Sequence, residues 1–212
     1  MMKIREIHKE KTFYAVSAGD GVYEIDGELL RRYGMQEGME CDGDTLLELH
    51  QKSRFRRAYR RACYLLDERD YSYSMMYQKL MRTYQDRELC NSVMQQLVQC
   101  GSINDRRYAE RLAEYLVVSK RYGIFRARQE MLRRGLEKNL VEDALDGWED
   151  AAEENIPAVL EKKYARYLTD PKDWKAREKV VAGMARLGYN YRDVKAAIEE
   201  YFADWDEDED EE

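Results

Sequence analysis

The sequence is poor in the residues that build most catalytic and metal sites. Only two histidines, His8 and His50, stand among its 212 residues. That is too little material for a Ser/His/Asp or Cys/His system, and neither has a partner at zinc-ligand spacing. Four cysteines, Cys41, Cys63, Cys90 and Cys100, form no CxxC pair. Three of them fall among helical apolar residues, where Cys acts as a small hydrophobe and stays reduced. The phosphate cradle GxxxxGK[ST], a GxGxxG after a strand and HExxH are all missing, which removes the usual nucleotide and zinc-hydrolase signatures. These absences predict a chain that is not an enzyme and has neither a metal site nor a bound cofactor.

Two prolines are all the sequence holds, so little interrupts helix formation. Apolar runs are short as well. Tyr115-Leu116-Val117-Val118 is typical, against roughly 20 residues needed to cross a bilayer. The start, Met1-Met2-Lys3-Ile4-Arg5-Glu6, alternates charge and lacks the apolar centre of an export signal. A cytoplasmic protein without a membrane segment is expected.

What the chain has is charge, 37% of its residues, beside a 44% apolar fraction that suffices for a core. The net charge of -7 is unevenly spread. Residues 1–50 carry a net -5, residues 51–135 a net +10 from 19 basic and 9 acidic side chains, and residues 136–212 a net -12. A basic middle within an acidic chain is the footprint expected of a polyanion-binding surface.

Residues 1–50 read as a small α+β extension. Phe13–Val16 and Val22–Ile25 flank a Gly/Asp turn, the pattern of a hairpin. Lys3–Ile7 adds a candidate third strand, and Glu28–Gly34 a helix stopped by glycine. The boundary to the rest of the chain lies near Gln51–Ser53. Beyond it the chain repeats on itself with offsets of 51 and then 53 residues. Met76 falls on Ala127 and Val180, Leu80 on Met131 and Met184, and Tyr84 on Gly135 and Gly188. Cys90, Val93, Met94 and Leu97 then fall on Val141, Ala144, Leu145 and Trp148, and on Val194, Ala197, Ile198 and Tyr201. The last four rows have the i, i+3, i+4, i+7 spacing of one buried helix face.

Gly135 and Gly188 stand where a helix must stop in a left-handed conformation. Ser72 and Ser74, Asp105, and Asp170 with Pro171 are the expected helix starts. The fold expected is therefore mainly α, with three tandem three-helix repeats over residues 54–103, 104–148 and 149–203 in an elongated array. The small β-rich extension precedes it, and an acidic, unfolded tail over 204–212 ends the chain.

Binding residues emerge from the same periodicity. Arg54, Arg57, Arg60 and Arg61 gather in one sector at about 100° per residue, beside the apolar sector of Ala58, Ala62, Leu65 and Leu66. Lys79 and Arg82 add charge on the next helix. In the second repeat Arg106, Arg107, Arg111 and Arg121 lie opposite Tyr108, Ala109, Leu112 and Leu116, and Arg126, Arg133 and Arg134 come after them. Guanidinium groups suit both phosphates and carboxylates, so this reading admits a stand-alone DNA-binding repeat protein or a scaffold for protein partners only.

Several of these residues form a pattern that resembles the RecX family, regulators of the RecA recombinase. The first repeat reads Leu65-Leu66-x-x-Arg69-x-x-Ser72 and then Lys79-Leu80. The second reads Ile103-Asn104-Asp105-x-x-Tyr108-Ala109, then Arg121-x-Gly123-x-x-Arg126 and Arg134-Gly135-Leu136. The resemblance covers residues 54–202. It implies an elongated curved rod of three-helix repeats, a monomer that lies in the groove of the RecA filament on single-stranded DNA, with double-stranded DNA as a second candidate. Its action there is to inhibit filament extension, ATP hydrolysis and strand exchange, in homologous recombination, DNA repair and the SOS response. Three departures stand out: Met75-Met76 replaces the family's Glu-Leu, Tyr84 its glycine, and the tail is unusually acidic.

Overall fold

The computed structural model describes residues 1–209, with side chains to Ala203. The chain divides into two compact units. Met1–Tyr71 and Met75–Ile103 form the first, and Ser72–Ser74 and Asn104–Glu212 the second.

The first unit opens with a four-stranded antiparallel sheet in the order β3-β2-β1-β4. Its strands are β1 (Met2–Lys9), β2 (Tyr14–Ala18), β3 (Gly21–Ile25) and β4 (Glu40–Cys41). The β2–β3 hairpin lies where the turn signal placed it, with Gly19 at φ +56° and Tyr14 paired with Ile25 across the ladder. β1 is the expected third strand, and its register shifts between Ile4 and Glu6. The two-residue β4 carries too little pattern to be read from sequence. Helix α1 (Gly27–Arg32) is capped by the Asp26 side chain, which accepts from Glu28 N. Ile4, Val16, Ile25, Leu46 and Leu49 form the centre of this small core.

The boundary expected near residues 51–53 is not a boundary in the backbone. Helix α2 runs unbroken from Gly43 to Glu68, opened by Asp42, whose carboxylate accepts from Thr45 N. No proline or glycine interrupts it after Gly43. Its buried residues are Leu46, Leu49 and Ser53, then Ala58, Ala62 and Leu65. The first three face the sheet core and the last three the helical core of the first repeat. The step of five residues from Ser53 to Ala58 rotates the buried stripe, so the two faces lie roughly 150° apart at about 100° per residue. One helix thus serves two cores, and α3 (Tyr73–Tyr84) and α4 (Arg87–Gln99) complete the first repeat.

In the second unit, α5 (Asp105–Glu114), α6 (Ile124–Arg133), α7 (Lys138–Leu145) and the short α8 (Glu149–Glu153) form one group. Helices α9 (Ile156–Tyr164), α10 (Trp174–Arg186) and α11 (Tyr191–Glu209) form another. Each group surrounds its own apolar cluster, and Tyr122 packs against both. Six of the seven aligned rows are buried or half-buried side chains in all three repeats. The seventh is the row of Tyr84, Gly135 and Gly188.

That row marks two close joints within the second unit. Gly135 and Gly188 both have positive φ, +77° and +89°. A Cβ on Gly135 would overlap the Ser74 side chain, and one on Gly188 would overlap the backbone of Arg126 and Gly123. The hydrogen bonds recur beside the same two glycines. Ser72 Oγ donates to Arg134 O at 2.5 Å, and Gly123 N to Leu187 O at 2.9 Å. The first repeat has no preceding repeat to receive it, so Tyr84 meets no such restriction. Its helix ends one residue later, with Gln85 at φ +50°.

Two helix starts differ from the sequence expectation. Asn104, not Asp105, caps α5 by accepting from Arg107 N, and Asp105 instead accepts from Tyr73 N at 2.7 Å. Asp170 and Pro171 form a turn before α10, which Asp173 caps. Ser72, directly before α3, donates its hydroxyl to Arg134 O. Helix α11 is helical through Glu209, so the segment expected to be an unfolded tail from Asp204 begins inside it. Residues 210–212 lie outside the described residues. Of the cysteines, Cys41 and Cys90 are buried and Cys63 half-buried, whereas Cys100 at the end of α4 is exposed.

His50 ties α2 to the sheet. Its Nδ1 accepts from Glu24 N at 2.9 Å, which requires that nitrogen to be unprotonated. Burial lowers its pKa from 6.5, and Arg54 and Arg57 push the same way against the Glu24 carboxylate. A histidine whose folded pKa is depressed contributes stability that is complete above the unfolded value and is lost as pH falls below it. Urea titration of the sheet's NMR signals from about pH 7.5 to 5 is therefore expected to show weakening below about 6.5. His50→Gln should flatten that dependence, and an equal pH response in the variant would remove His50 as its cause.

Candidate interaction surface

The basic side chains singled out by spacing divide into those consumed by the fold and those exposed on it. On α2 the consumed ones are set by helix geometry. Continued past Ser53, the stripe that faces the sheet passes through Arg56, Arg57 and Arg60. These meet the carboxylates along the sheet's rim. Arg57 pairs with Glu24, Arg60 with Asp26 at 2.6 Å and Arg56 with Glu28 at 2.5 Å. Asp26 is itself buried, caps α1, and donates its backbone N–H to Ser53 Oγ at 2.8 Å.

Arg54 lies nearer the repeat face. It pairs with Asp86 at 2.8 Å, the carboxylate that caps α4 by accepting from Leu89 N. That backbone N–H first, and Arg54 after it, hold the Asp86 pKa below its ordinary value. Arg57 is the most enclosed of the group. Its side chain is 10% exposed, and its guanidinium lies over the Phe13 ring at 4.4 Å. The positive sector expected on this helix is real, but three of its four arginines are neutralised within the unit. Arg61 is the exception, exposed beside the Tyr64 ring, as are Lys79 and Arg82 on α3.

In the second unit Arg134 donates Nη1 to Tyr108 Oη at 2.9 Å, while its carbonyl accepts from Ser72. Arg126 lies over the Tyr122 ring at 4.1 Å and donates to Arg186 O at 3.1 Å. Arg121 has φ +51°, and its carbonyl accepts from Tyr189 Oη at 2.8 Å. Burial pushes the Tyr189 pKa up to about 12, so that hydroxyl stays a donor through the neutral range. Just before this turn, Tyr115–Ser119 is a π-helical segment, and Asn155 Nδ2 bridges the carbonyls of Val117 and Ala151. The Arg121-x-Gly123-x-x-Arg126 pattern is thus the joint itself, written in sequence.

Side chains of Arg106, Arg107, Arg111, Arg121 and Arg133 are exposed. Arg106 stands 3.7 Å from Asp143 with 70% of its side chain exposed, and Arg133 is 76% exposed beside Glu130. Exposed ion pairs of this kind contribute only about 0–1 kcal/mol, so these guanidiniums are readily given over to a partner's anions. Periodicity alone does not single out Arg56, or Lys9 at the end of β1 and Lys11 in the turn that follows. Among the described residues, no His, Cys, Asp and Glu group is disposed to hold a metal ion, and no helix is long and apolar enough to cross a membrane.

Residues 104–145 match the family description "RecX, second three-helix domain". Across the chain, the regulatory protein RecX of Streptococcus sanguinis is 23% identical over 200 residues, covering 93% of this chain and 76% of that protein. The regulatory protein RecX of Trichlorobacter lovleyi is 29% identical over 133 residues, 62% of this chain and 86% of its own length. A crystal structure of regulatory protein RecX superposes with a TM-score of 0.67 at 20% identity, covering 92% of this chain and all (100%) of the other. That of RecX from Lactobacillus salivarius gives 0.63 at 21% identity over 70% of this chain and 97% of the other.

Proposed function

We propose that this chain, which belongs to the RecX family and shares its regulatory role, acts on the RecA recombinase. It binds the recombinase filament on single-stranded DNA as a monomer in the cytoplasm and restrains extension, ATP hydrolysis and strand exchange, within recombination and DNA repair. It does so by binding, without chemistry of its own. The observation that carries this reading is the series of three-helix repeats whose exposed side chains include Arg61, Lys79 and Arg82 on one unit and Arg106, Arg107, Arg111, Arg121 and Arg133 on the other. A filament of protein and DNA offers both carboxylates and phosphates to such residues.

The test is ATP hydrolysis by the cognate recombinase on single-stranded DNA with increasing amounts of this chain. Suppression at near-stoichiometric ratios is expected. Undiminished hydrolysis, together with binding to coated strands no tighter than to bare strands at matched salt, would leave the stand-alone DNA-binding reading in its place.

A further inference from the structure

The first unit contains a cationic cleft of which the filament reading uses only Arg61. It has a volume of about 860 Å³ and lies between the β1–β2 turn, the middle of α2 and the end of α3. Lys9 at the end of β1 and Lys11 in the turn line it from one side, and Arg54, Arg57, Arg60 and Arg61 from α2. Glu10 and Glu24 are the carboxylates on its walls, and Asp26 and Asp86 answer Arg60 and Arg54 from behind. The cations of the cleft thus outnumber these carboxylates by two.

A second observation points to a ligand. Arg57 lines the cleft with its side chain nine-tenths buried (10% exposed), and its Nη1 has no hydrogen-bond partner among the described residues. A buried donor left without an acceptor is costly, and the guanidinium that carries it is held in place by Phe13 and Glu24. Phe13, Tyr14 and Tyr84 line the same walls, with Thr12 and Thr83 beside them. Cations interleaved with aromatic faces are what single-strand and nucleotide sites are made of. A cleft for an acidic peptide would need the cations without the rings.

We propose that this cleft binds the phosphate of a nucleotide, whether free or within a single strand, with Lys9, Lys11, Arg57 and Arg61 as its anion partners and an aromatic wall for the base. Arg61 and the two lysines are exposed, and the contacts that hold the sheet to α2 run through Arg56, Arg57 and Arg60 instead, so these three report binding without touching the fold.

The experiment uses the full chain alone, with no recombinase, so its outcome is separate from that of the filament reading. Binding of a short labelled oligothymidylate is followed by fluorescence anisotropy over a salt series. It is repeated with the triple variant Lys9→Glu, Lys11→Glu, Arg61→Glu, and with Lys162→Glu, Lys163→Glu, Lys172→Glu, which makes the same charge change at exposed lysines of the third repeat. The cleft variant is expected to bind at least about tenfold more weakly with a shallower salt slope, and the control to lose about twofold or less. Adenosine monophosphate and orthophosphate are then added as competitors. Displacement by the mononucleotide at low occupancy identifies a free-nucleotide pocket, and resistance to it identifies a strand track; both support the phosphate assignment. Equal losses in the two triple variants, or displacement by oligoglutamate as effective as by the mononucleotide, would overturn it.

Discussion

Replacing Gly188 by alanine is expected to destabilise the second unit by about 2–5 kcal/mol, the sum of two separable effects. Its φ of +89° is one that L side chains rarely adopt, which costs roughly 1–2 kcal/mol. In addition, the new Cβ overlaps the Arg126 and Gly123 backbone, and backbone cannot step aside as a flexible side chain can. Two companion variants divide the total. Gly147 also has positive φ, +80°, but nothing within 4 Å of a Cβ, so Gly147→Ala carries the conformational part alone. Gly123 has ordinary φ of -68°, and its Cβ would overlap Gly188 O, so Gly123→Ala carries the steric part alone. Urea denaturation followed by circular dichroism measures all three. A Gly188→Ala loss no larger than that of Gly147→Ala would mean that the close approach at the joint does not hold in solution.

The repeat is legible in the sequence because its determinants are local. Helix faces show as a 3.6-residue period in Val93, Met94 and Leu97 and their counterparts, and each repeat makes the same core with its own residues. The joint is half legible. Gly135 and Gly188 read as helix stops, which they are, but sequence spacing does not reveal that the same atoms sit against residues 61 and 65 positions earlier, Ser74 and Gly123. Tyr84 in the corresponding place reads as a departure from the pattern and is better understood as the position that needs no glycine, because no earlier repeat lies against it. The extent of α2 is hidden for a different reason. Its buried stripe changes face at Ser53–Ala58, and a period interrupted by a five-residue step reads as two segments even though the backbone is continuous.

The candidate surface is less legible, and the cause is physical. Periodicity places Arg54, Arg57 and Arg60 on one side of a helix but says nothing of what that side meets. Here it meets Asp86, Glu24 and Asp26, separated from them by 32 to 34 residues in sequence. The same holds for Arg126 and Arg134, whose guanidiniums go to Arg186 O and Tyr108. Arginines that fasten a small domain and arginines that await a partner have the same sequence signature. Only the location of their acceptors, carboxylates or otherwise, tells them apart.

That division gives the largest functional effect expected of the surface residues. Charge reversal at Arg106, Arg121 and Arg133, which leaves the core untouched because all three side chains are exposed, should weaken suppression of recombinase ATP hydrolysis about tenfold or more, with most of the loss in association at low salt. Arg57→Ala with Arg60→Ala should behave differently. These residues hold the sheet to α2 through Glu24 and Asp26, so the expected first consequence is an earlier urea transition in the sheet's NMR signals, with suppression reduced only as the sheet loosens. If the exposed triple reversal retains full suppression while the Arg57/Arg60 pair abolishes it in a sheet that stays folded, the partner reaches the α2 face. The intramolecular carboxylates would then be placeholders that a filament displaces.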